Sequence, residues 1–183
     1  MDAFDNCSPD IVWDLNKTPL PFEDESFDFI IANHIMEHID NWWGAFEEFA
    51  RILKPNGTLE IWVPGGGSDA IMGYRDHVVE INNCSFFGTF GTYRQGGNAW
   101  AELNSGVHAN RLKLGDKRSL VESHWWTNYA PVSLRNWMAR HLRNIIVEDG
   151  YYFRKVTVAE MKMEADKYRE RTECSRVVPV QTL

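Results

Sequence analysis

The succession of strand, helix, turn and strand between residues 27 and 64 constrains the fold of this chain more than any other feature. Residues 27–34, FDFIIANH, are an apolar run of strand length. Near-continuous hydrophobicity predicts a strand buried on both faces of a parallel sheet. Asp40 is the expected N-cap of a helix through NWWGAFEEFARILK. Trp43, Phe46, Ala50 and Leu53 fall on one stripe of that helix, and Glu47 stands four residues before Arg51 on the outer side. KPNG ends it, because Pro55 cannot continue a helix and Gly57 readily takes a left-handed turn. In TLEIWVP, Leu59, Ile61 and Val63 alternate against Glu60 and Trp62, as in a second strand. The whole reads as a βαβ unit, the building block of parallel sheets with right-handed crossovers.

The flanks are less regular. Residues 11–15, IVWDL, form a short apolar run ending in an acid, and Pro19 and Pro21 make the following stretch a loop. PGGGSD is a flexible exit from the second strand, and residues 74–130 lack clear periodicity, which predicts irregular cover with short helices, a lid over the sheet edge. Residues 131–143 return to helical spacing through Leu134, Trp137, Met138 and His141, with Ser133 as cap. NIIVEDGYYFRKVTV predicts two strands about an Asp149–Gly150 hairpin turn. Thr157 and Glu160 form a capping box for a last helix through Met161, Ala165 and Tyr168. The 183 residues suit a single domain. It divides into a βαβ core part (1–64), an irregular insert (65–130) and a helix, hairpin and helix (131–183).

Charge narrows the partners. The net charge is −7, and the first 64 residues hold thirteen acids against three bases. That balance does not favour nucleic acid, whose binders present a basic footprint. Bases do outnumber acids from residue 111 to 143, among Trp125, Trp126, Tyr129 and Trp137, a pattern we read as a solvated helical region. Cys7, Cys84 and Cys174 lie far apart, which argues against a disulfide framework and for a reducing, cytosolic compartment. No apolar run approaches the roughly 20 residues that span a bilayer, and the start lacks the plan of a signal peptide.

Residues 34–38, HIMEH, spell H-x-x-E-H, the inverted zinc-peptidase signature. That chemistry needs a long helix presenting His34 and His38 on one face, with Glu37 as base and a third ligand from elsewhere. A strand ending near Asn33 and a new helix from Asp40 make the segment instead a short crossing at the sheet's carboxyl edge. Glu37 and His38 are then expected to bond nearby backbone groups, and no metal site is assigned.

The order Asp14, Leu20-Pro21-Phe22, Ser26-Phe27-Asp28, Ile35-Met36-Glu37-His38-Ile39 and Arg51-to-Gly57 resembles the class I S-adenosylmethionine-dependent methyltransferases, in particular the broad group acting on small molecules. The landmarks cover about 55 residues in register. The resemblance implies a Rossmann-like α/β sheet with helices on both faces. It implies S-adenosylmethionine as cofactor and methyl transfer to a small-molecule acceptor. Asp14 and Leu15 would face the adenine, Ala32, Asn33 and His34 the methionine part or the substrate, and Asp2 the ribose hydroxyls. His34 is the candidate base, since imidazole titrates near neutral pH. His77, His108 and His124 fall in the irregular region.

The family's glycine-rich loop after its first strand has no counterpart before residue 11, and GGG at 65–67 comes too late to replace it. The expected sheet is therefore N-terminally incomplete, with an open edge beside the strand at 27–34. A partner chain or second copy could cover that edge, the strand at 11–15 could close onto it, or the chain could be a fragment. Two rivals to methyl transfer stand beside it: a non-catalytic binding or scaffold protein of the same fold, and a zinc hydrolase using His34, Glu37 and His38.

Overall fold

The structure, a computed structural model, describes residues 1–65, 68–82, 85–86, 111–121, 129–141, 146–160 and 162–163. Its centre is the expected βαβ unit: β1 (Phe27–Asn33), α1 (Trp42–Ile52) and β2 (Leu53–Pro64), with β1 and β2 parallel. After β2 come a short helix α2 (Asp69–Gly73), β3 (Leu112–Val121), α3 (Val132–His141) and β4 (Ile146–Lys155). The sheet is mixed and open, in the order β1-β2-β4-β3, with β4 antiparallel to both neighbours.

One face of the sheet carries the core. Ile30 and Ala32 of β1 pair with Leu59 and Ile61 of β2, which pair in turn with Phe153 and Tyr151 of β4. Against this face α1 lays Phe46, Phe49, Ala50 and Ile52; of the expected stripe Phe46 and Ala50 are buried on the helix, Trp43 is partly buried, and the buried Leu53 already belongs to β2. Phe46, Phe86 and Phe153 meet at centroid distances of 4.9–5.5 Å. The other face differs from expectation. Phe29 and Ile31 are 52% and 56% exposed, so β1 is buried on one face, not two.

Three local readings shift. The cap of α1 is Asn41, one residue after Asp40, and its side chain accepts from the Gly44 N–H at 3.3 Å. Glu47 accepts from the Trp43 indole, and Arg51 turns to Glu48 instead. In KPNG the left-handed residue is Asn56 (φ 66°). Gly57 serves a different need, since a Cβ there would stand 2.8 Å from the Lys54 carbonyl and 3.1 Å from that of Asp28. The sheet register absorbs the turn: Phe27 lies opposite Leu53 and Phe29 opposite Thr58, so residues 54–57 bulge out of the ladder.

Two larger expectations fail. Residues 146–155 are one unbroken strand, with Gly150 opposite Trp62 on one side and Arg118 on the other. A Cβ at Gly150 would come within 2.9 Å of the Trp62 ring, so this glycine admits a close packing contact in place of a turn. Residues 112–121, expected within irregular cover, form the edge strand β3, with a register shift at residues 114–116. The helix expected at 131–143 is observed as α3, although Leu134 and Trp137 are exposed and Met138 is buried. Thr157 caps as expected, accepting from the Glu160 N–H at 3.2 Å. Met161, Ala165 and Tyr168, expected farther along that helix, lie outside the described residues.

Arg51 and Glu48 tie α1 to the loop before β1. Glu48 accepts from the Leu20 N–H (2.7 Å) and from Arg51 (2.8 Å), and Arg51 also donates to the Phe22 carbonyl and to Asp24. The Arg51 hydrogen bond holds the Glu48 carboxyl below its ordinary value, against the opposing effect of burial. The folded-state value thus lies below the unfolded one. The stabilisation is complete above the ordinary value of 4.5 and is lost as pH falls through the folded value. Glu48→Gln is expected to remove this part of the acid sensitivity and to cost about 1–2 kcal/mol at neutral pH, solvent screening included. Urea melts of both proteins between neutral pH and pH 3 check it, and a constant stability gap across that range would sink the assignment.

Candidate functional site

The carboxyl end of β1 is where the chain leaves the sheet. Asn33 pairs with Trp62, and the His34 N–H donates to the Trp62 carbonyl at 2.9 Å. His34 then turns the chain with φ 49°, and residues Met36–His38 form a single 3₁₀ turn leading to α1. The segment HIMEH is therefore the short crossing expected, and no long helix presents His34 and His38 together.

A cavity of about 470 Å³ runs along the outer edge of β1 to Asn33, between that edge and the N-terminal segment. Asp2, Leu15, Ala32 and Asn33, gathered from three stretches of sequence, all line it. Apart from Asp2 and Asn33 its walls are apolar, with Phe22, Phe29 and Ile31 among them. Across the cavity from β1, Asp2 forms an isolated parallel bridge with Val12. The Asp2 N–H donates to the Ile11 carbonyl, and the Trp13 N–H donates to the carbonyl of Asp2. Residues 11–13 thus pair with Asp2 and do not close onto β1. The outer edge of β1 has no strand beside it among the described residues.

The other candidates stand apart. Asp14 accepts from the Asn16 N–H at 2.9 Å and does not line the cavity. His34 lies outside the lining as well, with Nδ1 3.4 Å from Glu37 Oε1 and Nε2 3.2 Å from Glu148 Oε1. Glu148 was not foreseen. It reaches His34 through the antiparallel register of β4 on β2, where it stands opposite Pro64. His77 packs against His38, while His108 and His124 lie outside the described residues.

A second, larger cavity of about 590 Å³ lies at the opposite end of the sheet. There the buried Lys155 donates to the Leu53 carbonyl (2.6 Å) and to Glu25 (3.2 Å), and Arg111 also pairs with Glu25. Burial lowers the Lys155 ammonium from its ordinary value, with the Glu25 hydrogen bond opposing. These contacts join β4 to the start of β1. Open α/β sheets bind ligands at the carboxyl ends of their strands, so the cavity at Asn33 is the candidate site.

A family described as a methyltransferase domain matches residues 7–61. A demethylmenaquinone methyltransferase of Tropheryma whipplei is 39% identical over 51 residues, covering 28% of this chain and 21% of that protein. An uncharacterized methyltransferase of Mycolicibacterium vanbaalenii is 28% identical over 112 residues, covering 58% of this chain and 36% of that protein. The matches thus span about a fifth to a third of these relatives' length. Among solved structures, a SAM-dependent methyltransferase from Archaeoglobus fulgidus superposes with a TM-score of 0.52 at 11% identity, covering 79% of this chain and 66% of that one. Sequence pattern and sheet agree: residues 7–61 match a methyltransferase domain, and they are set in a mixed open sheet of the Rossmann-like kind.

Proposed function

We propose that this chain binds S-adenosylmethionine along the carboxyl end of β1 and takes part in methyl transfer to a small-molecule acceptor. The observation that carries this is the meeting of Asp2, Leu15, Ala32 and Asn33 on one cavity. Its volume of about 470 Å³ lies inside the range of roughly 300–1,000 Å³ usual for small-molecule pockets. Its apolar walls suit a flat base, and its two polar side chains could fix orientation.

Asp2 Oδ1 accepts from the Phe4 N–H at 2.9 Å, which aims the carboxylate. The other oxygen would accept from ribose hydroxyls. Leu15 and Ala32 would give apolar contact to the adenine, and the Asn33 amide would meet the polar end of the ligand. The bound cofactor supplies the sulfonium methyl group, and the protein's contribution is to hold donor and acceptor in line and exclude water. His34 lies outside the cavity lining, its ring facing Glu37 and Glu148, so this reading gives it no contact with the acceptor. The acceptor is a small molecule, consistent with the acidic balance of the chain. The unit is read as one domain working in the reducing cytosol. Among the described residues no helix is long and apolar enough to cross a membrane.

Calorimetric titration of the folded chain with S-adenosylhomocysteine tests the proposal. Saturable micromolar binding is expected, weakened about tenfold by Asn33→Ala and by Asp2→Asn, each the loss of one polar contact. A chain that melts cooperatively yet shows no saturable binding overturns it.

A further inference from the structure

We propose that Glu37, His38 and His77 form a binding site for a divalent transition-metal ion of the zinc class. Their candidate ligand atoms all lie within 4.8 Å of one another. The two imidazole rings meet edge to face, with centroids 4.7 Å apart. Zinc with bonds of about 2.0–2.1 Å to nitrogen and oxygen sets its ligands roughly 3.3 Å apart, so a contraction of at most about 1.5 Å closes the site.

Each imidazole is already held in a ligating tautomer. His38 Nδ1 lies 3.1 Å from the Asp76 carbonyl and 3.3 Å from its carboxylate, and His77 Nδ1 lies 3.1 Å from the Ile71 carbonyl. A carbonyl oxygen only accepts, so each Nδ1 is the donor, and Nε2 is the nitrogen that a neutral ring offers to a metal. Metal-bound histidines are oriented in this way, the second nitrogen donating to a carbonyl or carboxylate.

Glu37 supplies the independent observation. It is 1% exposed, and neither carboxylate oxygen has a hydrogen-bond partner among the described residues. His34 Nδ1 approaches Oε1 to 3.4 Å without hydrogen-bond alignment. Buried carboxylates are paired or coordinate metal ions, because the interior does not replace their hydration otherwise. The backbone fixes the arrangement, since the Val78 and Val79 N–H groups both donate to the Glu37 carbonyl. That pins the segment bearing His77 against the turn bearing Glu37 and His38.

This is not the site the H-x-x-E-H pattern would build. There both histidines of the motif bind the ion and the glutamate acts as base. Here Glu37 is a ligand, His77 replaces His34, and a fourth position is left for water. The ion would staple the segment after β2 to the turn after β1.

The test uses the full chain, stripped with chelator and titrated calorimetrically with Zn²⁺, with Co²⁺ absorption as a second readout. One equivalent is expected to bind at micromolar affinity or tighter, with visible Co²⁺ bands of four-coordinate intensity. His77→Ala and Glu37→Gln are each expected to weaken binding at least about tenfold. Zn²⁺ is expected to raise the melting temperature of the natural chain and not that of Glu37→Gln. A glutamate with a merely structural role would leave that zinc shift in place. If Glu37→Gln fails to fold, the half-buried His77→Ala carries the decision. Unchanged stoichiometry and affinity in His77→Ala, or no zinc binding by the natural chain, overturns the proposal.

Discussion

Phe46→Ala is expected to lower the stability of this chain by about 4 kcal/mol, the usual cost of truncating a fully buried aromatic. Phe46 has no exposed surface, and its ring lies 5.1 Å from that of Phe153, 5.5 Å from Phe86 and 5.4 Å from Trp43. Those neighbours belong to β4, to the segment after α2 and to α1 itself, so the ring is a junction of three elements. Alanine removes the apolar surface and also leaves a void that rings on three sides cannot readily fill, so transfer and cavity costs add. Against a typical total of roughly 5–15 kcal/mol, the loss is a large share. Phe46→Leu, which keeps part of the volume, is expected to cost about 1–2 kcal/mol. Urea denaturation with an unchanged slope measures both. A loss below about 1.5 kcal/mol for the alanine variant would show that the aromatic cluster collapses into the space and does not depend on this ring.

Gly57→Ala is expected to cost about 2–3 kcal/mol, although it adds a single methyl group. The new Cβ would stand 2.8 Å from the Lys54 carbonyl and 3.1 Å from the Asp28 carbonyl, with Leu53 Cδ2 at 2.9 Å. Two of these three atoms are backbone, fixed by the bulge on β2 and by its pairing with β1. The bulge is also held from outside, since Asn56 accepts from Arg154 and Lys54 pairs with Asp28. The clash therefore has to be relieved by moving the β1–β2 ladder itself. Gly73→Ala is the control, because nothing lies within 4 Å of its Cβ position. Equal melting temperatures for the two variants would refute this account of Gly57.

What the sequence made legible follows from where its signals act. The βαβ unit could be read because its periodicities are local: Phe46 and Ala50 of the helical stripe are buried, and Leu59, Ile61 and Val63 share the core face. Asp40 and Asn41 are both good caps, and side-chain type could not separate them. The Asp149–Gly150 pair is a hairpin signal only while its surroundings are ignored. Once Trp62 of a distant strand lies over Gly150, the same glycine is a packing residue. β3 escaped notice because Gly115 and Asp116 interrupt its alternation where the register shifts. The gathering of Asp2, Leu15, Ala32 and Asn33 followed from family resemblance. The approaches of His77 to His38 and of Glu148 to His34 arise from tertiary docking, and no spacing along the chain encodes them.

The place of β4 in the sheet has a consequence for how the fold is assembled. Residues 58–64 of β2 pair with residues 148–154 of β4, so the middle of the sheet closes between segments some ninety residues apart in the chain. During synthesis the β1–α1–β2 unit leaves the ribosome long before its neighbour does. Until then the inner edge of β2, with Leu59, Ile61 and Val63 on its core face, has no strand beside it. Helix α1 can cover that face early, since it lies between the two strands in sequence, but the edge must wait. The final zipping of β4 between β2 and β3 is a non-local event that bears the loop-closure entropy at the end of folding. A nascent chain of this protein is consequently most exposed to wrong pairing after β2 has formed and before Lys155 has been added.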